Sequence, residues 1–124
     1  MTPEHDELLV SKFPEIYKNR HAPSTETAMC WGFDVGDGWF SILYMLSAAL
    51  SSLDDIPVAF QVKEKFGGLR FYYDGGNFKE VNALVEVAER AAWVTCEECG
   101  KPGKLRKGGW LMTLCDECDE ERNQ

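Results

Sequence analysis

PVAFQVKEKFGGLRFYYD, residues Pro57 to Asp74, reads as a β-hairpin. Val58, Phe60 and Val62 alternate with Ala59, Gln61 and Lys63, and beyond Gly67 and Gly68 the alternation resumes as Leu69, Phe71 and Tyr73 against Arg70 and Tyr72. Alternation on both sides of a glycine pair places one row of side chains on each face of an antiparallel ribbon. One face is apolar. The other gathers Gln61, Lys63, Arg70 and Tyr72, with Lys65 near the turn. Arginine offers a planar fork and tyrosine a ring and a hydroxyl, so this face suits a phosphate, a carboxylate or an acidic protein partner. It also reads as an ordinary solvated sheet face, with Arg70 stacked on Tyr72 or paired with Glu64 or an acid elsewhere in the chain.

A hairpin with one apolar face needs cover, and the flanking segments supply it. Upstream, Phe40, Leu43, Leu46, Ala49, Leu50 and Leu53 predict a helix over about 39–53, with Ser41, Ser47, Ser51 and Ser52 on its other side. It is nearly uncharged, as a central core helix would be. Downstream, Asp74, Gly75, Gly76 and Asn77 form a turn, and Phe78, Val81, Leu84, Val85, Ala88, Ala91 and Ala92 make the apolar stripe of a second helix over 78–93. The expected fold class is α+β, a small antiparallel sheet packed by two amphipathic helices, with the Lys63, Arg70 and Tyr72 face left free. Near the start, Leu8, Leu9, Phe13, Ile16 and Tyr17 have helical spacing interrupted by Pro14. Two short helices are expected there, the first ending near Lys12.

Between these parts lies a loop over 19–28 and then Cys30 to Phe40, CWGFDVGDGWF, with four aromatic residues and three glycines. Two readings stay open. Trp31 and Trp39 are stacking platforms, with Asp34 and Asp37 as acceptors or a cation site; or the tryptophans are core and Asp37 caps the following helix. Cys30, His21, Asp34 and Asp37 are the only groups that offer an enzyme reading, and no Cys-His or Ser-His spacing joins them, so no catalytic residue is assigned. His5 and His21 have no motif beside them.

The C-terminal stretch CEECGKPGKLRKGGWLMTLCDEC, Cys96 to Cys118, holds two Cys-x-x-Cys pairs with fifteen residues between them. That spacing fits one tetrahedral Zn²⁺ held by Cys96, Cys99, Cys115 and Cys118. Four thiolates leave no open position, so the ion is structural and activates no water. Gly100 lets the backbone turn around the first pair, 104–106 and 110–113 can pair across Lys107, Gly108 and Gly109, and the second pair opens a helix over 116–122. The chain therefore divides into an α+β core over 1–95 and a zinc-binding subdomain over 96–124. The order of knuckle, hairpin and helix resembles the treble-clef zinc-finger family, and Trp110 to Cys118 is similar to the second half of a GATA-type finger. DNA reading by that helix is opposed by charge. Glu97, Glu98, Asp116 and Glu117 offset Lys101, Lys104, Arg106 and Lys107, and the helix itself carries Asp116, Glu117, Asp119, Glu120 and Glu121. Lys104, Arg106 and Lys107 remain as a possible contact to one phosphate strand. The segments WGFDVGDGWF and KEKFGGLRFYYDGG with the four-cysteine tail also resemble small proteins of bacteria and their phages, which implies a prokaryotic or viral cytosolic setting and no particular activity.

The whole chain sets the outer bounds. Its 124 residues are 44% hydrophobic, enough for one core, and its formal charge is -8, which four thiolates on one Zn²⁺ make more negative still. Such a surface repels nucleic acid and anionic membrane. No apolar run is long enough to span a bilayer, and the first residues lack a basic and then apolar signal pattern. A cytoplasmic location is expected, where thiolates bind metal and Cys30 stays free. The leading functional reading is a zinc-stabilised, non-catalytic interaction protein that binds a protein partner through the basic and aromatic hairpin face. The alternatives are a binder of a nucleotide or other phosphorylated small molecule on the same surface, and a nucleic-acid-binding zinc finger.

Overall fold

The computed structural model describes residues 1–123. In chain order the elements are α1 (Pro3–Lys12), β1 (Phe33–Asp34), α2 (Phe40–Ser51), β2 (Val58–Lys65), β3 (Gly68–Asp74), α3 (Phe78–Ala92), β4 (Lys104–Arg106), β5 (Met112–Leu114) and α4 (Asp116–Arg122). The architecture is α+β, with a three-stranded sheet ordered β1-β2-β3 and a separate two-stranded hairpin β4-β5. No helix among the described residues is long and apolar enough to cross a membrane.

The central hairpin forms, with one internal irregularity. Ala59 pairs with Tyr73 and Gln61 with Tyr72, so Phe60 is an extra residue bulged out of the ladder. The bulge reverses the alternation before it. Ala59 and Val62 are the fully buried residues of β2, whereas Val58 and Phe60, expected on the apolar face, are only half-buried. The Phe60 ring instead lies over Tyr72, with centroids 5.8 Å apart. On the far side of β2, β1 adds a short parallel strand, Phe33 opposite Val62 and Asp34 opposite Lys63.

α2 and α3 cover the sheet as expected. Asn77 caps α3 by accepting from the Glu80 amide at 3.2 Å, and Val81, Val85, Ala88 and Ala92 turn inward. Phe78, assigned to the stripe, is 70% exposed because it precedes the first inward turn. α1 starts at Thr2, whose hydroxyl accepts from the His5 amide, and ends at Lys12 before Pro14. The second short helix does not form. The Arg20 amide, which a helix would send to Ile16, donates to Tyr17, and the Ile16 carbonyl accepts from the Ala59 amide at the start of β2. Phe13, Ile16 and Tyr17 are nevertheless buried, so their spacing records burial in successive turns.

Ser47 also departs from its expected solvent side. It is fully buried on α2, donates to the Leu43 carbonyl at 2.7 Å and meets the Tyr17 hydroxyl at 2.6 Å. Burial, partly offset by this hydrogen bond, pushes the Tyr17 hydroxyl above the usual tyrosine range and keeps it neutral. Ser47→Ala leaves that hydroxyl buried without a partner and is expected to cost about 2 kcal/mol in urea unfolding. Adding Tyr17→Phe should recover part of the loss, because the two groups are coupled.

Candidate metal centre

The first cysteine pair sits on a tight turn closed by two backbone bonds. The Gly100 amide donates to the Cys96 carbonyl at 2.9 Å and the Cys96 amide to the Lys101 carbonyl at 2.7 Å. Gly100 holds φ at +83°, the left-handed region that its lack of Cβ permits. The second pair straddles the start of α4. Cys115 is its N-cap, with the Cys118 amide 3.4 Å from the Cys115 Sγ. β4 and β5 bring the two pairs together, Lys104 opposite Leu114 and Arg106 opposite Met112. β5 begins at Met112 instead of Trp110, which lengthens the loop but lets Thr113 and Leu114 bury beside Cys96.

The resulting sulfurs of Cys96, Cys99, Cys115 and Cys118 all lie within 4.8 Å of one another, with Cys99 and Cys115 3.6 Å apart. Four sulfurs about 2.3 Å from a central Zn²⁺ stand roughly 3.8 Å from each other, so the cluster has the dimensions of a tetrahedral site. Its ionisation chemistry points the same way. Burial opposes charge on Cys96, but amide donors from Cys115, Cys99 and Glu98 outweigh it and bring its pKa to about 7. Cys118 is pushed up by burial and by the neighbouring sulfurs, which resist a further negative charge. A dication removes that conflict, and the four-sulfur donor set fits zinc.

The cysteine segment is sewn to the rest of the protein by Glu97, which is 7% exposed. Its amide donates to Thr113 within the segment, its carbonyl accepts from the Gly38 amide at 2.7 Å, and its carboxylate accepts from the Gly36 amide at 2.9 Å. Burial, reinforced by Glu64 and Glu98, outweighs the Gly36 donor and pushes the Glu97 carboxyl up to about 7. Trp39 Nε1 donates to the Thr95 carbonyl at 2.9 Å, and the buried Thr113 hydroxyl donates to the Gly67 carbonyl at 2.7 Å. The glycine and tryptophan stretch is therefore where the metal segment seats. Its sequence signal, glycines beside large rings, is the same for a seat as for a ligand loop.

Of the six residues considered for a partner or ligand, four come together. Gln61 faces Tyr72 and Lys63 faces Arg70 across β2 and β3. Trp31 and Trp39 do not form a joint platform: Trp31 is 74% exposed, while Trp39 is fully buried with its ring nitrogen bonded to Thr95. Asp37 does not cap α2. It accepts from the Thr2 amide at 2.8 Å and lies 3.1 Å from His5 Nδ1, so it ties α1 to this stretch, and the His5 ring stacks on Phe40. Cys30 gives its S–H to the Thr27 carbonyl. Among the described residues no hydrogen bond joins Cys30, His21, Asp34 and Asp37. Arg106, considered for a phosphate contact, is engaged by the Leu114 carbonyl, by Asp116 at 2.8 Å and by Asp119 at 3.6 Å. Comparison of the chain with protein-family models, with curated proteins and with solved structures finds no match.

Proposed function

We propose that this is a non-catalytic, zinc-stabilised interaction protein, and that the outer face of β2 and β3 binds an acidic protein partner. The observation that carries this reading is the pair Lys63 and Arg70. They are direct cross-strand neighbours, and among the described residues neither has a carboxylate within 4.0 Å. Asp34 stands opposite Lys63 on β1 and Glu89 of α3 is close enough to Arg70 to feel its charge, but neither closes an ion pair, so both cations keep hydrogen-bonding capacity for a carboxylate from outside. Tyr72 and Gln61 extend the face with a ring, a hydroxyl and an amide.

The metal segment, with knuckle, β4-β5 hairpin and α4 in that order, is treble-clef-like in this reading and serves as a staple. A reducing compartment such as the bacterial cytoplasm suits its thiolates. The experiment is capture from a bacterial extract on the immobilised zinc-loaded protein and on its Lys63→Glu/Arg70→Glu variant. A protein retained by the first, lost from the second and released by salt is the expected result. Equal retention on both, or none on either, overturns the proposal.

A further inference from the structure

The tips of the two hairpins form a cleft that shares only Lys63 with the face described above. The β2–β3 turn and the β4–β5 loop enclose about 480 Å³ lined by Lys63, Lys65, Phe66, Trp110 and Leu111, with Glu64 and Gly109 completing it. Phe66 is 63% exposed and Trp110 is 75% exposed. Two large rings at the tips of separate loops, lining one opening, keep apolar surface in water that burial against a partner would remove.

The backbone at Phe66 sharpens the point. Its φ is +55°, and it is the only described non-glycine residue with positive φ. Glycine or asparagine adopts this conformation readily, whereas a bulky ring does so at a cost. The turn has two glycines beside it and still presents a phenylalanine outward. The charges in the cleft are likewise arranged for a ligand. Glu64 turns its carboxylate back to the Gly67 amide at 2.6 Å and keeps its charge, so the cleft sets the two cations Lys63 and Lys65 against one anion and is positive on balance, with Lys65 Nζ 5.6 Å from the Phe66 ring centre.

We infer that this cleft receives an apolar, preferably aromatic, side chain of an acidic peptide segment from a partner protein, whose carboxylates meet Lys63 and Lys65. The inference rests on the interaction reading and names where the anchor of that partner sits. The net charge of the chain repels such a peptide at long range, so the attraction is local, within a Debye length of about 8 Å, and sensitive to salt. Because one wall belongs to the β2–β3 turn and the other to the cysteine segment, the cleft exists only while the metal segment is folded and seated. Zinc thereby controls binding without touching the ligand.

The test uses a fluorescein-labelled synthetic peptide, rich in aspartate and glutamate with one central phenylalanine, titrated into the zinc-loaded full chain and read by anisotropy. Two control peptides replace the phenylalanine by alanine or the acids by lysine. The wild-type protein should prefer the first peptide over both controls. Trp110→Ala and Phe66→Asn should each weaken it about tenfold. Phe66→Asn should at the same time melt about 4 °C higher, since asparagine tolerates the left-handed turn. A gain in stability with a loss of binding separates a ligand role from a structural one. Absence of binding by the wild type, equal binding of the alanine peptide, or binding untouched by both substitutions overturns the inference. Lys63 lines the cleft as well as the sheet face, so the two readings are separated by repeating the capture experiment with Arg70→Glu alone, which alters the sheet face and leaves every residue lining the cleft in place.

Discussion

Chelation of the metal, or Cys99→Ser, should unfold the segment from Cys96 to Arg122 and loosen the stretch from Gly36 to Trp39 with it. The apolar cluster of the segment consists of Cys96, Leu114 and Cys115, with Met112 and Cys118 packed against it. Burying one leucine contributes about 2–3 kcal/mol, whereas ordering each residue costs about 1–2 kcal/mol, so apolar burial cannot hold the 27 residues from Cys96 to Arg122. A four-thiolate zinc site contributes on the order of 10 kcal/mol, and that term decides whether the segment folds. Serine in place of Cys99 removes one thiolate and leaves a ligand set that no longer closes. The measurement is metal content by elemental analysis together with amide hydrogen exchange. Protection should vanish at Glu97, Gly100 and Cys118, and fall at Gly38, whose amide is held by Glu97. The main core of α2, α3 and the sheet should stay protected, because its buried cluster from Leu9 to Ala92 contains none of the four ligands. A Cys99→Ser protein that keeps one zinc and melts unchanged would refute the assignment.

The parts legible in the sequence are those whose determinants are local. α3 was visible because Val81, Val85, Ala88 and Ala92 repeat at helical steps behind an Asn77 cap. The clustering of the four cysteines was visible because two closely spaced pairs are what a four-sulfur metal site requires. Other features depend on partners distant in the chain. The bulge at Phe60 is set by what Tyr72 and Tyr73 meet across the ladder, and simple alternation therefore put the wrong residues of β2 inside. β1 is two residues long and exists only because β2 lies beside it. Ser47 looked like surface because serine usually is, but a tyrosine 30 positions earlier needs its hydroxyl. The cleft at Phe66 was not legible for the same reason: Trp110 is far away in sequence, and only the seating of the metal segment brings the two loops together.

Gly38→Ala should show how tight that seating is. The Gly38 amide donates to the Glu97 carbonyl, and this bond draws two backbones into contact. A Cβ on residue 38 would overlap the Cys96 carbonyl oxygen and stand 2.6 Å from both the carbonyl carbon and the oxygen of Glu97. These are main-chain atoms in the knuckle, fixed by the adjoining metal ligands, so they cannot rotate aside as a flexible side chain would. Residue 38 is not among the positive-φ glycines, so the effect is steric and not one of backbone preference. The expected loss is about 3 kcal/mol, at the upper end for an overpacked site. All four cysteines remain, so the zinc should be retained while Trp39 Nε1 loses its protection at Thr95, the opposite pattern to Cys99→Ser. Gly108→Ala, at a position where an added Cβ meets nothing within 4 Å, is the matched control and should melt like the wild type. If Gly38→Ala also melts like the wild type, the two segments do not meet here, and the seat of the metal segment rests on its other contacts, among them the Thr113 hydroxyl on the Gly67 carbonyl beside the cleft.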